Sequence, residues 1–427
     1  MRRTARTAAI LVLVLAGSLV PSAPIAVAHQ IPSVPVGFAV TPYTQTRGLT
    51  TSIAFGPDTR DPSRERLYAA VFSSGQIAAI DDAGGVGTVS TFASGFRNPL
   101  GVVGAPDGTV FVADSEAARE GPFGTRAYGR VWRVRDTNRD GVADVSEVVL
   151  KDLPNGRHNT NGMALGPDGM LYVTNGNSTD DGVEGGDPEV EPWSGSVVRV
   201  DPSWTGVSLA SLRPKHVLVA HGMRNDFDVA RSPFDPTQLF ITMNGTDDAR
   251  QESEEGPTGL EDSDDLLYRT DIDDTVGPGR KGKPVIDDFG FPSCLYNLER
   301  RGNLDPYDNP NPAVIEQFGP CPTGTVPRPL TSFGLHVSAD GLAFQTTPAW
   351  GAEFRNDLFV AEFGNFFGSE IVGHRIVRVE LDGKGQSVTR RGGFLSGAVP
   401  LDVTFDPAGA MYVADFSGTI FKVQRVA

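Results

Sequence analysis

A chain of 427 residues holds more than one small core requires. With 50 Gly, 32 Pro and 8% aromatic residues, and no long Ala/Glu/Lys/Leu stretch at helical spacing, it reads as many short strands joined by turns. The formal charge of −16 repels phosphate backbones, which argues against nucleic acid as a partner and favours bound cations.

At the N-terminus, Arg2, Arg3 and Arg6 precede an apolar run from Ala8 to Val20 and then Ala26-Val27-Ala28. A basic region, an apolar region and an A-x-A site predict a signal peptide over 1–28, cleaved after Ala28, and hence a secreted protein. The apolar run is short for a membrane span, and no later segment is long enough for one. Removing those three arginines leaves 34 basic residues against 53 acidic ones. His29 then becomes the first residue, an amine–imidazole pair to which no partner histidines can be assigned, so it is read as coincidental.

Residues 29–427 carry one phrase six times: a Pro/Asp/Gly turn followed by an alternating strand. It begins at Gly56 (GPDTRDPSRERLYAAVF), Ala105 (APDGTVFVADS), Gly166 (GPDGMLYVTNG), Asp235 (DPTQLFITMNG), Arg355 (RNDLFVAEFG) and Asp406 (DPAGAMYVADFSG). The alternation fits half-buried antiparallel strands. Further strand-like stretches, GRVWRVRD, GSVVRVD, HRIVRVEL and GTIFKVQ, stand between the copies. A turn and strands repeated six times predict an all-β fold, a single six-bladed β-propeller of four-stranded antiparallel blades. Two packed β-sandwiches are the rival, but they need not repeat one phrase six times. The spacing leaves room for long acidic loops at 178–193 and 246–333, where a propeller keeps its site.

In chain order, the first chemical motif is DTNRDGVADVSE, residues 136–147, which matches the calcium-loop pattern without a mismatch. Asp136, Asn138, Asp140, Asp144 and Glu147 offer hard oxygen ligands, Val142 its carbonyl, and Gly141 the sharp turn. Strand-like flanks place this loop in a β-hairpin, as a structural clamp; a solvated acidic turn is the plainer alternative. Next, His158 and Asn159 stand just before a strand and its Pro-Asp-Gly turn, where a general base at a blade mouth would sit, although a loop histidine is more often an ordinary polar residue. Arg224 and Asn225 again precede a strand–turn–strand phrase, and an arginine beside an amide suits a carbonyl, a carboxylate or a developing oxyanion, or else a surface ion pair.

The acidic stretch 253–267 reads either as an ordinary solvated loop or, because Gly256-Pro257 interrupts it with a step that fixes the chain, as one that presents carbonyls to a cation. Cys294 and Cys321, the only cysteines, lie in one loop-rich segment and point to a single disulfide closing a long loop, with two free thiols as the alternative. His336 precedes a later blade strand as His158 does, but a zinc site lacks a third ligand at suitable spacing. No G-x-S-x-G elbow, P-loop or Rossmann fingerprint occurs.

From about Gly95 to Val426 the chain resembles the glucose/sorbosone dehydrogenases, pyrroloquinoline quinone (PQQ) sugar dehydrogenases built on a six-bladed propeller. GFRNPLGVVGAPDGTVFVADS, HNTNGMALGPDGMLYV, GMRN, EEGP, FGFPSC and LHVSADGLAF fall in that family's order. The resemblance implies that His158 takes the hydroxyl proton as a hydride moves to the quinone. It implies that Arg224 lies by the quinone carbonyl with Asn225 beside it. Gly256 and Pro257 would offer carbonyls to a Ca2+ ion that also holds PQQ. His336 matches the sorbosone-type branch and would line the cofactor pocket with His158 and Asn159. Two departures stand out. Val399 and Leu401 replace two arginines of the glucose-type branch, and Asn177 stands where that branch has an aspartate partnering the catalytic histidine.

The expectation is therefore a secreted PQQ- and calcium-dependent dehydrogenase acting on a sugar or a related aldehyde or hemiacetal, passing electrons to an acceptor of unknown identity. A calcium-dependent lactonase-type hydrolase on the same fold, and a propeller that only binds a glycan or another protein, are the rival classes, and the fold does not choose among them.

Overall fold

Side chains along the strand Asp357–Glu362 divide between two cores. Leu358 and Val360 pack with Phe240, Leu267 and Phe333 on one side, whereas Phe359 and Ala361 pack with Trp350, Phe394 and Val413 on the other. Every residue of that strand is buried, as is every residue of Leu171–Asn175 and Met411–Asp415. The sequence reading of these strands as half-buried is corrected here: the sheet holding each one is covered by a neighbouring sheet on both faces, so both sets of alternating side chains leave water.

The computed structural model describes residues 31–116, 128–180, 182–183, 190, 193–246, 262–272, 286–365 and 371–426. Six sheets follow one another along the chain. Blade 1 is Thr50–Asp58, Asp61–Val71, Gln76–Asp82 and Gly87–Ser94. Blade 2 is Gly101–Gly104, Val110–Glu116, Tyr128–Arg135 and Val145–Pro154. Blade 3 is Thr160–Leu165, Leu171–Asn175, Ser196–Val200 and Leu218–His221. Blade 4 is Asn225–Arg231, Gln238–Asn244, Asp265–Asp271 and Thr331–Gly334. Blade 5 is Ala339–Gln345, Asp357–Glu362, Arg375–Leu381 and Val388–Ser396. Blade 6 is Pro400–Phe405, Met411–Asp415 and Thr419–Arg425, completed by Phe38–Gln45 from the start of the chain, which pairs antiparallel with Thr419–Arg425.

The six predicted turn–strand phrases are the hairpins joining first to second strand in blades 1 to 6. Two blades exceed the predicted four strands: Val207–Ser208 adds in parallel to blade 2 and Asp287–Asp288 to blade 3. Both short additions cover an outer edge that would otherwise expose unpaired backbone groups. The predicted loop 246–333 is also corrected. It contains Asp265–Asp271 and Thr331–Gly334 of blade 4, two short helices, Leu298–Arg301 and Pro312–Phe318, and the small hairpin Cys294–Leu295 with Tyr307–Asp308. Dense Asp and Pro around these short elements hid them from a reading based on alternation. The predicted Cys294–Cys321 disulfide is formed, with Cα atoms 4.8 Å apart.

The first strands of the six blades touch in order and close a ring. One residue of each, at matching register, sets its spacing: Ser52, Gly101, Gly162, Asp228, Gly341 and Asp402. The Val102 N–H donates to Ser52 Oγ at 3.2 Å, the Leu342 N–H to Asp228 Oδ2 at 3.1 Å and the Ile53 N–H to Asp402 Oδ2 at 2.7 Å. Blade 1 is thereby latched to 2, 4 to 5 and 6 to 1. Glycine is required on the intervening blades, because a Cβ on Gly162 would lie 2.8 Å from Asp228 Cα and one on Gly341 2.6 Å from Asp402 Cα. Burial pushes the Asp402 carboxyl up to about 7, and burial with the nearby Asp402 raises Asp228 well above the ordinary range.

Candidate active site

Antiparallel blades put two kinds of connector at one end of the ring: those entering each first strand, and those joining second to third strand. His158, Arg224 and His336 stand on the entering connectors of blades 3, 4 and 5, so the three predicted residues share this mouth.

The chain from Thr174 to Gly182 builds the centre of the site. Asn177 Oδ1 accepts from the backbone N–H and hydroxyl of Thr179, whose hydroxyl accepts in turn from the Gly182 N–H. This turn leaves the Asn177 carbonyl 2.8 Å from His158 Nδ1, so a proton on Nδ1 is held there and Nε2 carries the lone pair. The same turn brings Asp180 to the mouth, with Oδ1 3.9 Å from His158 Nε2. Asp180 Oδ1 also pairs with Arg224 Nη2, while Arg224 Nε donates to the Asp180 carbonyl at 2.8 Å and Nη1 to the Asn244 carbonyl at 3.4 Å. His158, Asp180 and Arg224 all have largely buried side chains. Gly176 passes so close that a Cβ there would lie 2.5 Å from His158 Cβ and 2.7 Å from Asn225 Oδ1.

Below them a chain of amides crosses three blades. Asn161 Nδ2 donates to Asn225 Oδ1 at 3.1 Å, Asn225 Nδ2 to Asn244 Oδ1 at 2.6 Å, and Asn244 Nδ2 to the Ala339 carbonyl at 3.1 Å. Asp265 accepts from the Gly245 and Ala339 N–H groups; burial pushes its carboxyl up to about 7 against the opposing charges of Arg224 and His336. His336 adopts φ +57° and lies 3.4 Å, Nε2 to Oδ2, from Asp262. Asn159 holds the loop through its carbonyl, which accepts from the Gly176 N–H at 2.9 Å. Gly256 and Pro257 lie outside the described residues.

On blade 6, Leu401 is buried, and Val399 donates its N–H to Asp415 Oδ2 at 2.7 Å and accepts at its carbonyl from the Phe416 N–H; Phe416 meets Phe363 of blade 5 edge to face at 5.3 Å.

Two residues escape motif reading. Asp180 sits in an acidic segment and acquires meaning only from the turn that folds it back. Arg97 had a usable signal: Arg97-Asn98, His158-Asn159 and Arg224-Asn225 occupy the same register before the first strands of blades 2, 3 and 4. The Arg97 backbone is fixed by the Asp114 carboxylate and the Ser115 N–H. Its side chain is exposed, as is that of Arg47 on the connector entering blade 1, and neither forms an ion pair or hydrogen bond among the described residues.

The predicted calcium loop lies at the opposite end, in the last hairpin of blade 2. Asp136 accepts from the backbone N–H groups of Arg139, Asp140 and Gly141 and from the hydroxyl of Thr59, which lies in the first turn of blade 1. Asp144 accepts from Thr137, Asn138 donates to Asp140, and Val142 is half exposed. Glu147, already in the strand, pairs with Arg133 and Arg135. Among the described residues no three His, Cys, Asp or Glu side chains converge as a metal would require, and no helix is long and apolar enough to cross a membrane.

The ring is that of a six-bladed β-propeller. Solved structures of low sequence identity share this fold, among them the following three. The Trichoderma reesei Carbohydrate-Active Enzymes Family AA12 protein, in an iodide structure, is 18% identical with TM-score 0.69, covering 95% of this chain and 100% of that one. The holo form of the pyranose dehydrogenase PQQ domain from Coprinopsis cinerea is 14% identical with TM-score 0.69, covering 93% and 98%. The PQQ-bound aldose sugar dehydrogenase from Streptomyces coelicolor is 18% identical with TM-score 0.58, covering 92% and 99%. A family profile described as a domain of unknown function (DUF7133) matches residues 73–226, less than half of the chain. No curated protein matches the chain in sequence.

Proposed function

We propose that the protein is an exported, PQQ- and calcium-dependent dehydrogenase that oxidises a sugar or a related aldehyde or hemiacetal. The observation that carries this reading is the fixing of His158 Nδ1 on the Asn177 carbonyl, which leaves Nε2 basic in the mouth that also holds Arg224. A general base needs that tautomer and that access. His158 Nε2 takes the substrate hydroxyl proton, while the C–H hydrogen leaves as hydride, a two-electron oxidation. PQQ, when bound, supplies the hydride acceptor, with calcium polarising it. Arg224, through the N–H groups it does not give to Asp180 and Asn244, would donate to a carbonyl at the mouth, with Asn225 beside it and held by Asn244. The donor set fits a planar polyanion, since the exposed, unpaired arginines Arg47 and Arg97 add positive charge at the same end where Val399 and Leu401 supply none. Export rests on the segment 1–28, which lies outside the described residues. The loop 136–147 is read as a calcium clamp remote from the chemistry.

The test is to add PQQ and calcium to the purified protein, measure binding, and follow sugar-dependent reduction of a dye, with His158→Ala alongside. Saturable binding, with dye reduction lost in His158→Ala, supports the reading; no PQQ binding in the presence of calcium overturns it, and lactone hydrolysis and then glycan binding become the assays to run.

A further inference from the structure

A buried guanidinium beside a general base is a problem as well as an asset. When His158 takes a proton it becomes a cation, and beside an unbalanced Arg224 two like charges would stand together in a largely buried mouth, which lowers basicity. An aspartate against the imidazole would relieve this, yet the residue at the expected place is Asn177, whose side chain is turned to Thr179 and which offers His158 only a carbonyl. A carbonyl fixes the tautomer but carries no net charge.

The geometry points to Asp180 as the residue that supplies the missing charge: a positioning carboxylate, ion-paired with Arg224, that holds the His158–Arg224 site at a charge from which the imidazole can still accept a proton. One oxygen, Oδ1, serves both partners, pairing with Arg224 Nη2 and lying 3.9 Å from His158 Nε2. Its backbone is anchored too, since Arg224 Nε donates to the Asp180 carbonyl. With Asp180 present, proton transfer takes the trio from neutral to a single positive charge; without it, from one to two. Among the described residues, the charged groups facing the pair are Asp180 and Arg224, with exposed Arg157 next to His158 in the chain and buried Asp265 within electrostatic reach of Arg224. Of the two carboxylates, only Asp180 has an oxygen 3.9 Å from the imidazole. The inference rests on the reading of His158 as the base, but its direct readout is the imidazole itself, which titrates whether or not a quinone binds.

The experiment is a histidine NMR titration of the purified full chain without added cofactor, with the His158 signal assigned by its loss in His158→Ala. Asp180→Asn keeps the shape and an oxygen acceptor for Arg224 while removing the charge. Its His158 midpoint is expected to fall by at least one pH unit, with far-ultraviolet circular dichroism unchanged. Asp180→Glu, which restores the charge, is expected to recover at least half of that shift. A His158 midpoint that stays within a few tenths of a unit in Asp180→Asn overturns the proposal, as does an equal fall in Asp180→Glu, which would mark loss of shape and not of charge. If the imidazole shifts as expected while the protein neither binds PQQ nor reduces dye, the dehydrogenase reading fails and the charge-balancing role of Asp180 stands.

Discussion

The latches around the ring make stability depend on pH in a stated direction. Asp402 receives the Ile53 N–H and lies near Asp228, which receives the Leu342 N–H. Burial holds the folded Asp402 carboxyl at about 7, against 3.8 in the unfolded chain. Between those values the folded protein keeps a proton that the unfolded chain has released. This contribution is full below pH 4 and is lost as the pH rises toward 7. One retained proton corresponds to about 1.4 kcal/mol per pH unit, so from pH 5 to pH 7 Asp402 alone weakens the fold by about 2–3 kcal/mol. Asp58, held low by Arg60, and Asp168, held low by the Met170 N–H and then Arg199, titrate below this window despite burial. Urea denaturation at half-unit steps from pH 5 to 7.5 is the assay. Asp402→Asn keeps an acceptor for Ile53, cannot titrate, and removes the like charge beside Asp228, so its stability should fall less steeply by about one proton's slope. Identical slopes in wild type and Asp402→Asn would refute the placement of that proton.

Gly176→Ala should drive His158 and Asn225 from their places and cost at least a hundredfold in dye-linked kcat/KM, with a much smaller change in the urea midpoint, since the collision is confined to the mouth. Gly162→Ala, by contrast, meets the carboxylate and backbone of Asp228 on the next blade and should lower stability by about 1–3 kcal/mol, as read by the same urea curves. Reducing Cys294–Cys321, which are 27 residues apart, should remove about 3.5 kcal/mol from its segment on loop-entropy grounds, visible as faster hydrogen exchange over 286–330. Calcium should raise the melting temperature of wild type but not of Asp140→Ala. Asp136→Ala should lower it with or without calcium, because three backbone N–H groups lose their acceptor.

Repetition made the architecture legible. The same hairpin recurs because each blade needs the same tight turn between its first two strands, and six turns define six blades. Short polar strands such as Asp287–Asp288 were not legible, because only pairing with Ala220 and His221 makes them strands. At the site, His158, Arg224 and His336 could be placed from their position before a repeated phrase. Asp180 could not, since nothing in Ser-Thr-Asp-Asp reveals that an Asn177–Thr179 turn folds it under Arg224. Nor does the sequence show why residues 162 and 341 are glycine, since only the folded ring brings Asp228 and Asp402 against them.

The pairing of Phe38–Gln45 with Thr419–Arg425 joins residues near the two ends of the chain. Blades 1 and 5 each assemble from one contiguous segment, whereas the sixth stays one strand short until Phe38–Gln45 and Thr419–Arg425, with the whole ring between them, have met. Until they meet, Phe38–Gln45 has its hydrogen-bonding edge unpaired, the condition in which a chain is most open to wrong partners. Completion of the ring thus depends on this one long-range pairing, and removing Thr419–Arg425 would leave Phe38–Gln45 without its only described partner strand and the ring unsealed.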